Sequence, residues 1–130
     1  MKMIIGGKWL DKSAKIDVLN PFDDSLVDTV PEGSAEDVKK AITKAEKGYE
    51  INKNLPAHKR ISILKRCAEI MQDRFEDLAI TIASEGSKTI SEARKEVGRA
   101  INTITISAEE ARRINGETIP FDSAVGSENR

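Results

Sequence analysis

The chain has 130 residues, enough for one domain or part of one, and could bury roughly two thirds of the surface its unfolded form exposes. Its 21 basic and 22 acidic residues are well mixed and sum to −1, which argues against a nucleic-acid stripe and against an acidic tail that recruits partners by charge. No apolar stretch approaches a membrane span, Met1-Lys2-Met3 leads into no secretory core, and the single Cys67 has no disulfide partner in the chain, so a soluble, cytoplasmic protein is expected.

Ile4-Ile5 and Lys8-Trp9-Leu10 flank Gly6-Gly7, and two adjacent glycines supply the positive φ angles of a tight hairpin. Residues 11–14 read as a second turn. Ile16-Asp17-Val18 alternates apolar and polar like a half-buried strand, which Asn20-Pro21 should end. Ser25 to Val30 is a further strand, closed by Pro31 and Gly33. The first third, residues 1–33, is therefore expected to be a short antiparallel β-meander.

Ser34, three residues before Asp37, has the spacing of a capping box. Val38, Ala41, Ile42, Ala45 and Tyr49 then recur on one helical face, with Lys39, Lys40, Lys44 and Lys47 on the other. Pro56 suits the first turn of a second helix. Ile61, Leu64, Cys67, Ala68, Met71, Phe75, Leu78 and Ile82 make an apolar stripe that runs until Gly86. Thr89 and Glu92 repeat the capping-box spacing. Ala93, Val97, Ala100, Ile101, Ile104, Ala108 and Ala111 continue the helical period until Asn115-Gly116. The β-branched run Ile101 to Ile106 argues for strand, but the strong helix formers on both sides decide for helix. Three helices are expected at 34–52, 57–84 and 90–114, so residues 34–116 form a three-helix segment. Ile119 to Phe121 could begin a strand, and residues 117–130 read as a connecting loop at an apparent truncation point. The fold class expected is mostly α with the β-meander in front.

Few residues invite a chemical role. Cys67 falls on the apolar stripe between Leu64 and Met71, where a cysteine is far more often packing than nucleophile. His58, the only histidine, sits at a helix start with no second ligand near it in sequence, which suits a solvated residue better than a metal site. The acidic residues alternate with basic ones along the helices. Exposed pairs such as Lys65/Glu69 and Glu109/Arg113 account for them, each contributing about 0.2–0.5 kcal/mol. There is neither a G-x-G-x-x-G nor a P-loop pattern, and Gly6-Gly7-Lys8 precedes no helix, so no phosphate cradle is expected.

Four segments in order carry a resemblance. They are the run from Ile4 to Ile42; Leu55-Pro56 followed by Arg60 to Leu64; Glu85-Gly86-Ser87-Lys88-Thr89-Ile90-Ser91-Glu92-Ala93; and Ala108 to Pro120. Together they resemble the N-terminal part of the NAD(P)-dependent aldehyde dehydrogenase superfamily, in the branch of the lactaldehyde and non-phosphorylating glyceraldehyde-3-phosphate enzymes. The third segment is similar to a family pattern E-x-G-K-P-I-x-E-A, with Ser87 between Gly86 and Lys88 and with Thr89 for the proline.

The resemblance implies that the helical segment belongs to a cofactor-binding domain of the α/β aldehyde dehydrogenase fold. It further implies that a full-length parent would oxidise an aldehyde to a carboxylic acid. That reaction proceeds by thiolate attack, hydride transfer to NAD or NADP and thioester hydrolysis, in a homodimer or homotetramer. The family's oxyanion asparagine, cofactor-binding lysine and glycines, general-base glutamate and nucleophilic cysteine all fall downstream of these segments. This chain is accordingly expected to be a scaffold segment, inactive alone, with no catalytic, cofactor or metal residue. The one residue to which the resemblance lends a site role is Arg99, at the end of Glu96-Val97-Gly98-Arg99. In that branch an arginine after a similar Glu-Val pair helps bind the substrate phosphate, a task suited to a bidentate guanidinium. The competing expectation for Arg99 is an exposed helical arginine paired with Glu96. The competing expectation for the whole chain is a stand-alone helical module that docks a partner through one apolar stripe.

Overall fold

A computed structural model describes residues 1–120, 123, 125 and 126. The β-strands come first: β1 (Met3–Ile5), β2 (Lys8–Leu10), β3 (Lys15–Leu19) and β4 (Leu26–Pro31). They form two separate antiparallel pairs, β1-β2 and β3-β4, rather than one continuous meander. In the first pair Ile5 faces Lys8, so Gly6 and Gly7 make a two-residue loop, and both take positive φ (57° and 78°) as the primed turn requires. A side chain on Gly6 would also run into the aliphatic stem of Lys44. In the second pair Asn20 organises the turn. Its side-chain oxygen accepts from the Phe22 N–H at 3.0 Å, and its carbonyl accepts from the Asp24 N–H at 2.8 Å.

Four helices follow: α1 (Ala35–Lys53), α2 (Ala57–Asp73), α3 (Phe75–Gly86) and α4 (Ile90–Glu110). Both expected capping boxes form. The Ser34 hydroxyl accepts from the Asp37 N–H while the Asp37 carboxylate accepts from the Ser34 N–H, and Thr89 and Glu92 do the same for α4. The β-branched run from Ile101 is helical. Its hydroxyls bond back one turn, Thr103 to the Arg99 carbonyl and Thr105 to the Ile101 carbonyl, each at 2.9 Å.

Several expectations need correction. The helix expected over 57–84 is two helices, divided at Arg74, whose ψ of 22° leaves the helical value. Neither proline nor glycine marks the break. Its consequence is that both halves of the apolar stripe turn toward α4, which packs on α2 and on α3 alike. The last helix ends at Glu110, short of Asn115-Gly116, with Ala111 as its cap. The left-handed residue that turns the chain after α3 is Ser87 (φ 54°), while Gly86 remains helical. The strand start expected at Ile119–Phe121 does not form at Ile119 or Pro120. Phe121 lies outside the described residues, as does half of the expected terminal loop.

The core sits at the α3–α4 seam. Ala79, Ala93 and Val97 are buried there, with Phe75, Leu78, Ile82, Ala83 and Ile101 packed around them. Small residues at 79 and 93 let the two helices approach closely, and Val97 fills the space between. Two further alanines of α4 and its cap, Ala108 and Ala111, are also buried. Helix α1 stands apart from this core and makes its main contact with β1. Its expected inward face is open to solvent: Val38 is 57%, Ile42 55% and Tyr49 64% exposed.

Candidate functional site

The start of α4 is where charge is organised. Ser87 reverses the chain, Lys88 follows, and Thr89 caps the helix. The Lys88 ammonium then reaches along the helix and pairs with the Glu96 carboxylate. That hydrogen bond holds the Glu96 carboxyl below its ordinary value, with the Lys88 charge and the more distant Arg99 charge adding to the effect. Glu92 is held low as well, chiefly by the Thr89 hydroxyl and then by the Thr89 N–H of the capping box. Both carboxylates on this flank of α4 are therefore committed.

Arg99 lies on the same flank, three residues beyond Glu96, and is exposed. Its backbone carbonyl takes the Thr103 hydroxyl. Its guanidinium has no hydrogen bond or ion pair among the described residues, and the carboxylate expected to pair with it is bound through one oxygen to Lys88. Beside Lys88 is an open cleft of about 270 Å³, lined by Asn20 and Phe22 of the β3–β4 turn and by Ala83, Ser87, Lys88 and Thr89.

The other singled-out residues are not drawn into this region. His58 is exposed in the first turn of α2. Cys67 is also exposed, which corrects its expected place in the buried stripe. On α2 the partly buried residues are Arg60, Ile61, Leu64, Ala68 and Met71. Cys67 turns outward with Ile63 and Ile70 onto an open groove of about 490 Å³. Among the described residues no three His, Cys, Asp or Glu side chains gather into a metal site. The expected pairs Lys65/Glu69 and Glu109/Arg113 are replaced by Arg66–Glu69 at 3.0 Å and Arg113–Glu110 at 2.5 Å, each three residues apart.

A dinucleotide would need free backbone N–H groups at a strand-to-helix turn. The β4–α1 connection is the one such turn among the described residues, and it is already filled. The Asp37 carboxylate occupies the first turn of α1, and Lys12 binds that carboxylate in addition to reaching toward the Glu32 carbonyl at 3.4 Å. A phosphate there would meet a carboxylate instead of open donors. This turn therefore does not fit the pyrophosphate of a nicotinamide dinucleotide.

Residues 9–130 match the family model described as the aldehyde dehydrogenase family. Over 117 residues the chain is 45% identical to an aldehyde-dehydrogenase-like protein of Sinorhizobium fredii, covering 90% of this chain and 23% of that protein. It is 38% identical over 123 residues to a lactaldehyde dehydrogenase of Methanocaldococcus jannaschii, covering 95% of this chain and 26% of the other. Among solved structures, the NADP-dependent glyceraldehyde-3-phosphate dehydrogenase of Bacillus halodurans, complexed with NADP, superposes with a TM-score of 0.91 at 30% identity. That match covers 97% of this chain and 27% of the other. The chain thus spans about a quarter of the length of the relatives it matches.

Proposed function

We propose, because this chain belongs to the aldehyde dehydrogenase family, that the protein carrying it oxidises an aldehyde to a carboxylic acid with NAD or NADP, and that this segment supplies one substrate contact, Arg99. The observation that carries the proposal is the exposed Arg99 guanidinium, left without an anionic partner among the described residues on a capped 21-residue helix. An unpaired guanidinium presents parallel N–H donors to a phosphate or carboxylate, and its helix fixes where they point. The substrate class is therefore an aldehyde bearing an anionic group. The similarity to a glyceraldehyde-3-phosphate enzyme supports this choice. The similarity to a lactaldehyde enzyme favours an uncharged hydroxyaldehyde as the second reading.

The chain's own part is to bind and orient. We assign thiolate attack and hydride transfer to other parts of the fold, a reading supported by the open apolar groove around Cys67 and by the Asp37 carboxylate that fills the α1 N-terminus. We take residues 34–116 as a helical part of the cofactor-binding domain, inactive without the remainder of the fold. The same proposal extends to a homodimer or homotetramer in the cytoplasm. No described helix is long and apolar enough to cross a membrane. A self-sufficient adaptor is disfavoured, since the family match takes in every described helix.

The test is kinetic. In the full-length protein, Arg99→Ala should raise KM for glyceraldehyde 3-phosphate far more than KM for glyceraldehyde. Equal effects on the two would remove Arg99 from the substrate site and favour the uncharged class.

A further inference from the structure

We propose that Lys88 is a positioning residue for Arg99: by holding Glu96 it keeps the one carboxylate within helical reach from pairing with the guanidinium, and so leaves Arg99 unpaired and open to an anionic aldehyde. The inference rests on the substrate role proposed for Arg99.

On a helix, a side chain meets those three and four positions away. For Arg99 these are Lys95, Glu96, Asn102 and Thr103, so Glu96 is its only carboxylate neighbour on α4. Glu96 and Arg99 have the i,i+3 spacing at which acid and base pair readily. The same spacing is occupied by an ion pair at Arg66–Glu69 and at Glu110–Arg113 elsewhere in this chain. At 96 and 99 the pair does not form. Glu96 instead binds Lys88, eight residues away, which comes from outside the helix.

Local structure makes that diversion possible. The left-handed Ser87 turns the chain, and the capping box at Thr89 fixes the direction in which α4 leaves it. Lys88, immediately before the cap, can then lay its side chain back over two turns of helix to Glu96. Glu92, the other carboxylate on the flank, is engaged with Thr89 and does not compete for Lys88. Without Lys88, Glu96 would be free to close on Arg99 as a substrate-mimicking intramolecular anion. An exposed helical pair of this kind is weak, so the expected competition is about two- to threefold in affinity and should fade with salt.

The experiment uses the full-length protein with glyceraldehyde 3-phosphate and uncharged glyceraldehyde as probes, at low ionic strength. Lys88→Met should raise KM for the phosphorylated aldehyde about two- to threefold, leave its kcat unchanged, and leave both constants for glyceraldehyde unchanged. The double variant Lys88→Met/Glu96→Gln should restore the wild-type ratio, and Glu96→Gln alone should keep it. A selective effect of Arg99→Ala with no effect of Lys88→Met would overturn the role of Lys88 and leave that of Arg99 standing. A Lys88→Met loss that falls equally on both aldehydes, or that Glu96→Gln does not rescue, would also overturn it by making Lys88 merely structural. An unselective Arg99→Ala would overturn the reading beneath both.

Discussion

Arg94 of α4 grips Glu76 of α3 with a two-pronged contact: Nε donates to the carboxylate at 3.1 Å and Nη2 at 2.9 Å. The pair spans the same seam that Val97 fills from inside. Both side chains are about half exposed, so solvent and salt weaken what the geometry promises. Val97 has no such discount, being 2% exposed among buried neighbours. Val97→Ala should therefore destabilise the protein by about 1–3 kcal/mol through lost burial and a residual cavity. Arg94→Ala should cost clearly less and lose its effect at high salt. Urea unfolding of the two variants at low and high salt checks the order, and a larger loss for Arg94→Ala would mean the seam is held by charge.

Ser87 carries a conformational strain that its neighbour could relieve. A residue with a side chain in the left-handed region costs of order 1 kcal/mol relative to glycine. Gly86, one residue earlier, is helical and has open space where a methyl group would go. The chain has its glycine one position away from where the backbone needs it. Exchanging them, as Gly86→Ala/Ser87→Gly, should stabilise the protein by about 1–2 kcal/mol. Thermal unfolding reads this directly. A lowered Tm would show that the Ser87 side chain has a compensating contact.

The loop before β3 is tied to α1 through a titratable group. Lys12, and after it Ser34, hold the Asp37 carboxyl well below the usual carboxylate range. The unfolded chain takes up the proton near pH 4, whereas the folded chain resists it. This stabilisation is complete above pH 4 and is lost as pH falls through the folded value. Asp37→Asn should flatten the acid limb of a stability–pH curve between about pH 4 and pH 2, and should lower stability at pH 7. An unchanged acid limb would show that Lys12 and Asp37 do not meet in solution.

Arg99→Lys separates charge from geometry at the proposed substrate contact. A lysine keeps the positive charge but presents a point charge rather than a planar fork. KM for an anionic aldehyde should rise about three- to tenfold, with KM for an uncharged aldehyde unchanged. Full retention of the wild-type KM would mean that bidentate geometry is not used.

Much of the fold was legible because its causes are local. Gly6-Gly7 forces a hairpin whatever surrounds it, and the Ser34/Asp37 and Thr89/Glu92 spacings place both caps where the backbone N–H groups need them. The threonines of α4 pointed toward strand by propensity, yet they sit in helix because each hydroxyl finds a carbonyl one turn back. The candidate site was less legible. Arg99 could be named from its place in a motif, but its expected partner was wrong, since Glu96 is taken by a lysine eight residues away. No helical spacing rule looks that far.

The sequence by itself determined the family, the Gly6-Gly7 hairpin, the caps and the helical stretches, because turns, caps and apolar periods depend on residues within a few positions of one another. Tertiary structure alone decided the break at Arg74, the outward turn of Cys67, the exposed face of α1 and the pairing that leaves Arg99 open. These depend on which faces meet. Apolar periodicity says that a helix has a side to bury, but only packing against α4 selects which side is buried and which carboxylate is left for which cation.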